Sequence, residues 1–418
     1  MKVLISGASV AGPALAYWLR RHGFAVTVVE RAAGPRPGGY KVDLRGVAVE
    51  VARRMGVLDE VRRRSTDIRG GTWLNGAGKT IATLGPDMIG FRDPGDLEIM
   101  RGDLAEILHD LTRDEAEYVF GDAITSLTDA DGGTRVTFQN AAPRTFDLVV
   151  GADGLHSGIR ALAFGPESQF THSLGLGVAV FGVPGNLDLD RWEMVLSAAG
   201  HVVNVYSVGA AAEAKAQFFF PAPSRPVDRH DVAAQQRVVA EAFAGHGWEV
   251  PRLLAAMPAA SDFYYDTLAQ VRMDSWSRGR AVLLGDAAYC PSPASGQGTG
   301  MALVGAYVLA GELAAAQGDH RVAFARYEQE MREFVELNQR LGRTAAKGMV
   351  PASRSRARLQ GLMMRMAPHM PGKARMMEAI MKPIREAANG IQLPDYPAAA
   401  GWSRQSPQVK APANMPNP

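Results

Sequence analysis

The residues near the start of the chain that could do chemistry are the small residues of the turn GASVAG, residues 7–12, and the acid Glu30. Gly7, Ser9 and Gly12 keep the backbone open where a predicted helix begins, and the N–H groups and dipole of a helix start favour a pyrophosphate. Glu30 ends a second predicted strand, where a carboxylate can accept hydrogen bonds from ribose hydroxyls. Ser9 stands where this fingerprint has its second glycine. The pattern predicts a dinucleotide site, with a purely structural turn as the alternative.

Two further turns each place one acid beside a glycine. The strand predicted at DLVVGAD ends in Asp153 and Gly154, and the apolar run AVLL is followed by Gly285 and Asp286. Asp286 lies at the start of GDAAYCPSPASGQGTG, residues 285–300, which holds four glycines and few side chains able to act as a nucleophile. Such a segment suits a ligand that binds to backbone N–H groups, although proline and glycine can also simply connect a strand to a helix tightly.

The elements around these turns predict an α/β fold. KVLIS, AVTVVE and DLVVGAD read as buried strands, and the strands of the region 170–275, with one helix at about 232–245, read as an antiparallel sheet. We therefore expect a Rossmann-type domain with an inserted antiparallel-sheet substrate domain and C-terminal helices. The predicted boundaries are 1–170 and 276–345 for the two parts of the Rossmann-type domain, 171–275 for the inserted sheet, 346–398 for a C-terminal bridging helix region and 399–418 for a disordered tail.

Bulk properties exclude several classes of function. The net charge of +2 gives no global attraction to nucleic acid, and the single cysteine, Cys290, can form neither an internal disulfide nor a thiolate metal site, so we expect no metal. The apolar start of the chain lacks a signal-peptide cleavage site, which predicts a cytoplasmic protein with no stable membrane insertion. The basic, methionine-rich region 351–390 favours helices packed on the first domain with their charges in water, and a helix lying on a membrane is the alternative.

The three turns occur together, in this order, with GGYKVDLRG, IMRGDL and NGIQLPDY, and the chain thereby resembles the single-component FAD-dependent aromatic hydroxylases. Within that family it is most similar to the tetracycline-inactivating monooxygenases and their actinobacterial relatives. The resemblance implies a Rossmann-type FAD-binding domain, a sheet-based substrate domain over the flavin and a C-terminal helix that bridges the two.

The resemblance also implies roles for individual residues. Those expected to bind FAD or the nicotinamide are Gly7, Ser9, Gly12, Glu30, Arg31, Arg36, Gly39, Asp43, Arg101, Asp153, Gly154, Asp286, Gly296 and Gly298. Among them Arg36 is linked to NADPH, Asp153 and Gly154 to both cofactors, and Asp286 to the ribityl chain. Pro293 is expected to form part of the wall over the flavin ring, near Gly296 and Gly298. No side chain is expected to act as a catalytic nucleophile.

By this resemblance the protein is a cytoplasmic flavoprotein that uses FAD and NADPH, or NADH, to insert one oxygen atom into a polycyclic aromatic or phenolic small molecule through a flavin hydroperoxide. A tetracycline or another aromatic polyketide is the expected substrate type, which would make the reaction a modification of an antibiotic. Four alternatives stay open at this point. They are a flavin-dependent dehydrogenase, an epoxidase, an NAD(P)-only dehydrogenase and a binding protein without redox activity. The sequence leaves the oligomeric state open.

Overall fold

A computed structural model describes residues 1–35, 38–86, 90–185, 187–209, 213–366 and 372–397. Its strands are β1 (Lys2–Ser6), β2 (Ala25–Glu30), β3 (Lys41–Leu44), β4 (Gly70–Asn75), β5 (Thr80–Leu84), β6 (Leu97–Met100), β7 (Glu117–Phe120), β8 (Ile124–Ala130), β9 (Gly133–Phe138), β10 (Arg144–Phe146), β11 (Leu148–Gly151), β12 (Thr171–Val183), β13 (Trp192–Ala198), β14 (His201–Ser207), β15 (Ala214–Pro221), β16 (Tyr264–Val271), β17 (Ser277–Arg278) and β18 (Ala281–Leu283). Its helices are α1 (Ala11–Arg21), α2 (Val47–Met55), α3 (Leu58–Arg63), α4 (Arg101–Thr112), α5 (Gly158–Ala163), α6 (Val232–Ala242), α7 (Val250–Ala256), α8 (Asp286–Tyr289), α9 (Gly298–Ala315), α10 (His320–Met349), α11 (Arg354–Met366) and α12 (Lys373–Ala388).

The first sheet is the predicted Rossmann-type sheet. Its strand order is β17-β18-β11-β1-β2-β7, and all pairs are parallel except β17 with β18. β1 and β11 are almost wholly apolar and buried, as strands covered on both faces must be. β1 pairs with β2 on one side and with β11 on the other, so the carboxyl ends of these strands meet at one edge of the sheet. This confirms the predicted fold class and places two of the three glycine turns side by side.

The second sheet has the order β16-β12-β15-β14-β13-β4-β5 and is antiparallel except where β13 pairs with β4. Alternation along β15 sends Phe218 and Phe220 to one face and Phe219 to the other. Phe218 and Phe220 pack with Val239 of α6 and Leu253 of α7 in a buried cluster. The opposite face, which carries Phe219, is called the inner face below because it packs with Tyr40 and Ala294 from outside the sheet.

Several local predictions need correction. The glycine-rich sequence RPGGYKVDLRG, residues 36–46, suggests an extended loop, but Lys41–Leu44 forms β3 because it pairs with β6. The helix predicted at about 232–245 is α6, but α7 follows it and was missed; it is seven residues long, too short to show helical periodicity. The domain boundaries stay a prediction, and the strand pairing adds that β4 and β5, which precede residue 171, belong to the second sheet.

The helices after β18 cover both sheets. α9 packs on α1, α2 and α10. Among the described residues it is the one helix whose length and composition would allow it to cross a membrane. However, 78% of it is buried inside the protein. α12 packs on α10. α11 packs on β4 and β5 of the second sheet, which corrects the expectation that the whole basic region lies on the first domain. The predicted tail, 399–418, lies outside the described residues.

Candidate functional site

The turn after β1 is closed by backbone that leaves no room for side chains. A Cβ on Gly7, whose φ is +107°, would overlap the carbonyl group of Ala152 at the end of β11. A Cβ on Gly12 would overlap the carbonyl oxygen of Gly7 and lie 3.3 Å from Cγ2 of Ile5. The first turn of α1 has no side-chain cap, so its N–H groups are left for a ligand. Both glycines are therefore required by the geometry that brings α1 close to the sheet.

Glu30 fixes the tip of β2 beside this turn. Its carboxylate accepts hydrogen bonds from the backbone N–H of Ala8 and of Ala32, both at 2.9 Å. The acid therefore lies at the edge of the GASVAG turn, where the sequence predicts the ribose. Arg31, assigned to the same site, is exposed beside it.

Arg101 connects this turn to the paired glycines before β3. Its Nη1 donates to Oγ of Ser9 at 3.1 Å, so the serine found in place of a glycine has a side-chain partner. A Cβ on Gly39, whose φ is +99°, would lie 2.9 Å from Nε of Arg101. The backbone N–H of Arg101 donates to the carbonyl oxygen of Tyr40 at 3.0 Å. The structure thus brings together Ser9, Gly39 and Arg101, which are far apart in the sequence.

The third glycine segment meets the first between two helix starts. A Cβ on Gly285, whose φ is +65°, would lie 3.5 Å from the Cβ atoms of both Ala11 in α1 and Ala302 in α9. α9 begins at Gly298 with no side-chain cap on its first turn, as α1 does. Two uncapped helix starts, one on each side of Gly285, favour a ligand that carries negative charge.

Two carboxylates flank the start of α9. Oδ2 of Asp43 lies 3.5 Å from the position of a Cβ on Gly296, and Oδ1 of Asp286 lies 3.5 Å from that of a Cβ on Gly298. Burial raises the pKa of Asp286, and the nearby charge of Asp266 raises it further. The polar acceptors that the sequence predicted for a flavin therefore converge on one loop.

Asp43 is held by two arginines that the sequence did not point to. Its carboxylate accepts from Nη2 of Arg45 at 2.9 Å and from Nε of Arg92 at 3.0 Å. Arg92 also pairs with the buried Glu98. Nζ of Lys41 forms ion pairs with Oε2 of Glu98 at 3.3 Å and with Oε2 of Glu193 in β13 at 2.8 Å. Burial lowers the pKa of Lys41, but these two carboxylates outweigh it and raise the pKa overall.

Asp153 is engaged with the protein's own donors. Its carboxylate accepts from the N–H of Gly158 at 2.9 Å and of Ile159 at 3.2 Å, and also from the hydroxyl of Ser157. Burial raises its pKa. Asp153 therefore holds the start of α5, and Gly154, with φ +83°, supplies the turn between β11 and that helix. Any cofactor contact by these two residues stays a prediction.

The remaining predicted positions differ in exposure. Pro293 is exposed, while Gly296 and Gly298 are partly buried. The buried Ser292 before them has φ +78°, a strained conformation for a residue with a side chain. Arg36, linked to NADPH by resemblance, lies outside the described residues.

A group of side chains that sequence reasoning missed lines the same region. The rings of Tyr40 and Tyr264 are 6.2 Å apart, and burial raises the pKa of Tyr40 to about 12, with the charge of Asp286 adding to the effect. The hydroxyl of Tyr264 donates to Asp266 at 3.0 Å. Nε2 of His156 lies 3.0 Å from the same carboxylate. Nothing in the sequence signals this group, because its members come from three separate segments.

The His156 side chain bridges the two sheets. It follows β11 of the first sheet and contacts Asp266 in β16 of the second. Its Nδ1 lies 2.9 Å from Glu167. The hydrogen bond to Asp266, with the charge of Glu167, raises the pKa of His156.

The inner face of the second sheet is apolar with a small polar patch. Val178, Val180 and Leu268 pack there with Phe219 and with Tyr40, Ala294 and Met349 from outside the sheet. Asn204 and Gln217 stand opposite each other on β14 and β15, with Nδ2 of Asn204 3.4 Å from Oε1 of Gln217. The face therefore combines apolar side chains with the two amide groups of Asn204 and Gln217.

Two residues of the third segment are structural. Tyr289 is buried and accepts a hydrogen bond from Tyr327 at 3.0 Å, and a Cβ on Gly305 of α9 would overlap its hydroxyl. Cys290 is buried, and burial raises its thiol pKa well above the usual value, so it is no ready nucleophile.

In the described ranges no group of three His, Cys, Asp or Glu side chains could hold a metal ion.

Comparisons with known proteins agree with this geometry. Residues 1–340 match the family described as FAD binding domain. An uncharacterized protein of Mycobacterium tuberculosis is 47% identical over 339 residues, which is 81% of this chain and 91% of that protein. A protein named flavin-dependent monooxygenase from Legionella longbeachae is 38% identical over 397 residues, which is 95% of this chain and 98% of that one. The crystal structure of the tetracycline destructase Tet(55) is 38% identical, with a TM-score of 0.81 over 94% of this chain and 98% of that one.

Proposed function

The chain belongs to the FAD binding domain family of FAD-dependent monooxygenases, and on that premise we propose that it uses NAD(P)H and molecular oxygen to insert one oxygen atom into a polycyclic aromatic or phenolic small molecule. The observation that carries the proposal is the convergence of two uncapped helix starts and two carboxylates opposite an apolar sheet face. A tetracycline or another aromatic polyketide is the proposed substrate type.

The residues present fit FAD. The cradle formed by Gly7 and Gly12 is one that a single Cβ would fill, as close approach by a pyrophosphate requires. Glu30, which accepts from the N–H of Ala8 beside this cradle, is proposed to bind the ribose, and Arg101 joins Ser9 of the cradle to the segment before β3. We propose that Asp286 accepts hydrogen bonds from ribityl hydroxyls, which would stabilise its buried carboxylate.

When bound, FAD would supply electron transfer from the nicotinamide to oxygen and then oxygen transfer to the substrate. The chain's own contribution is orientation and charge. The first turn of α9 has no side-chain cap, so its N–H groups could stabilise negative charge on a flavin ring bound beside it. Asp43 with Arg45 and Arg92 fixes β3 against the loop before β6. NADPH is the proposed reductant by resemblance alone.

The substrate is proposed to lie between the inner face and residues 293–298. Phe219 would offer flat apolar contact, and Asn204 with Gln217 would offer amide groups. Such a surface selects a large planar molecule with a few polar substituents. The similarity to the tetracycline destructases Tet(55) and Tet(51) supports a tetracycline-like ring system.

The test is to incubate purified protein, FAD and NADPH with tetracyclines and other polycyclic phenols and to measure product masses. We expect substrate-stimulated NADPH oxidation and a product heavier by one oxygen atom. A product lighter by two hydrogens would identify a dehydrogenase, and ligand binding without NADPH oxidation would identify a binding protein. Protein purified without flavin absorbance would favour the NAD(P)-only dehydrogenase.

A pair of variants locates the substrate site. Phe219→Leu on the inner face should raise the KM for substrate while flavin content stays unchanged. Phe220→Leu on the opposite face should lower stability without changing KM, because that ring packs in the separate cluster under α6 and α7. Equal KM values in both variants would contradict the proposed location.

A further inference from the structure

Helix α11 carries a continuous apolar stripe that faces solvent. Leu359, Leu362, Met363 and Met366 follow the i, i+3, i+4, i+7 spacing of one helix face, and each side chain is 47–58% exposed. In the described part of the chain ten large apolar residues are exposed, and these four are among them, with Ile380 of α12 as a fifth between 359 and 380. Exposed apolar residues are therefore concentrated on this short stretch.

The stripe is exposed although α11 itself packs against the protein. The other face of α11 lies on β4 and β5, where Met364 joins a cluster with Ile68 and Ala82. A Cβ on Gly361 would lie 2.8 Å from Cδ1 of Ile81, so the helix sits close against the sheet. α11 thus uses one face for the fold, and its second apolar face stays exposed among the described residues.

The surroundings of the stripe are strongly basic. From Leu337 to Met377 the sequence has nine lysines and arginines and no aspartate or glutamate, in a chain whose overall charge is only +2. Arg354, Arg356, Arg358 and Arg365 of α11 are all exposed. An apolar stripe on a helix whose charged side chains are all cations is complementary to a surface that combines negative charge with apolar material.

We propose that α11 docks the protein on the surface of an anionic lipid bilayer, with the stripe in the interface and the arginines among the head groups. A second copy of the chain fits this face poorly, because a two-fold contact through α11 would bring the two sets of arginines together. A neutral apolar partner would leave the arginines unpaired. This association is peripheral and does not require a helix that spans the membrane.

The docked helix lies next to the proposed substrate site. Met349 and Val350, which precede α11, pack with Trp73 and Phe219 on the inner face. A bilayer bound by α11 would therefore lie near one edge of that face. The docking argument itself uses only exposure and charge, so it stands apart from the proposed reaction.

The test is vesicle flotation of the full-length protein. We expect binding to vesicles of phosphatidylcholine mixed with phosphatidylglycerol, weak binding to phosphatidylcholine alone, and release at high salt. Arg354→Glu with Arg358→Glu should lower the partition coefficient more than tenfold, since each basic side chain near an anionic surface contributes roughly a fivefold factor. Leu362→Asp should lower it comparably. Val322→Asp and Arg237→Glu, exposed elsewhere, should have no effect.

Thermal unfolding and flavin content of each variant separate lost docking from lost folding. No binding of the folded wild-type protein to the anionic vesicles would overturn the proposal, and so would equal binding by Leu362→Asp. A wild-type dimer that Leu362→Asp converts to a monomer would also overturn it, because the stripe would then be covered by a second copy. None of these results depends on turnover, so failure here is distinguishable from failure of the proposed function.

Discussion

Gly12→Ala tests whether the first glycine turn must stay closed for flavin to bind. The new Cβ would overlap the carbonyl oxygen of Gly7 and lie 3.0 Å from its carbonyl carbon and 3.3 Å from Cγ2 of Ile5. The overlapping atom is backbone, so no side chain can rotate away, and α1 must move from the turn. Overpacking of this kind costs about 1–3 kcal/mol of folding stability.

The effect on flavin follows from the same displacement. Moving α1 removes one or two N–H donors from the proposed pyrophosphate position, and a hydrogen bond to a charged group contributes about 1.5–3 kcal/mol. Since about 1.4 kcal/mol is a tenfold change in affinity, the Kd for FAD should rise about tenfold to a hundredfold. Flavin fluorescence titration of the apoprotein measures the Kd, and the absorbance of the purified protein gives its flavin content.

Gly247→Ala is the matched control, because a Cβ there meets nothing within 4 Å and the residue needs no positive φ. It should keep wild-type flavin affinity. The reasoning is refuted if folded Gly12→Ala binds FAD as tightly as the control does.

Three further predictions test other parts of the site. Asp286→Ala should weaken FAD binding at least tenfold. The Tm of the apoprotein should stay unchanged or rise, because burial raises the pKa of Asp286 and thus makes its charged form unfavourable in the folded apoprotein. A lower apoprotein Tm would show a structural role instead. Asp43→Ala should lower the free energy of unfolding, measured in urea, by about 3 kcal/mol, because Arg45 and Arg92 lose a shared partner. A wild-type urea midpoint would show that the two arginines find other partners. The raised pKa of His156 means that its stabilising contribution is full below about pH 6.5 and is lost as the pH rises through the folded value, so the stability difference between wild type and His156→Gln should shrink with rising pH. A difference that is constant from pH 5 to pH 9 would contradict the bridge between the two sheets.

The sequence by itself determined the parts that depend on local backbone chemistry. A turn such as GASVAG needs glycine wherever a Cβ would strike backbone, and that requirement is visible in the residues themselves. Buried parallel strands such as β1 and β11 read as apolar runs, so the Rossmann-type sheet could be predicted. The alternation of Phe218, Phe219 and Phe220 over two faces also follows from strand geometry alone.

Tertiary structure decided which distant charges meet. Asp43 was singled out by resemblance, but its arginine partners were not, since Arg92 is brought to it only by the loop before β6. His156 and Asp266 are 110 positions apart and meet because the two sheets abut there. The energies of such pairs depend on burial and distance, which a sequence does not contain.

The same distinction explains α11. The sequence showed a basic, methionine-rich region and left packing or membrane contact as alternatives. Only the docking of Gly361 and Met364 on β4 and β5 decided which face of the helix is used for folding. That choice leaves Leu362 and Met363 in solvent, because a helix lying on a sheet can bury one stripe only.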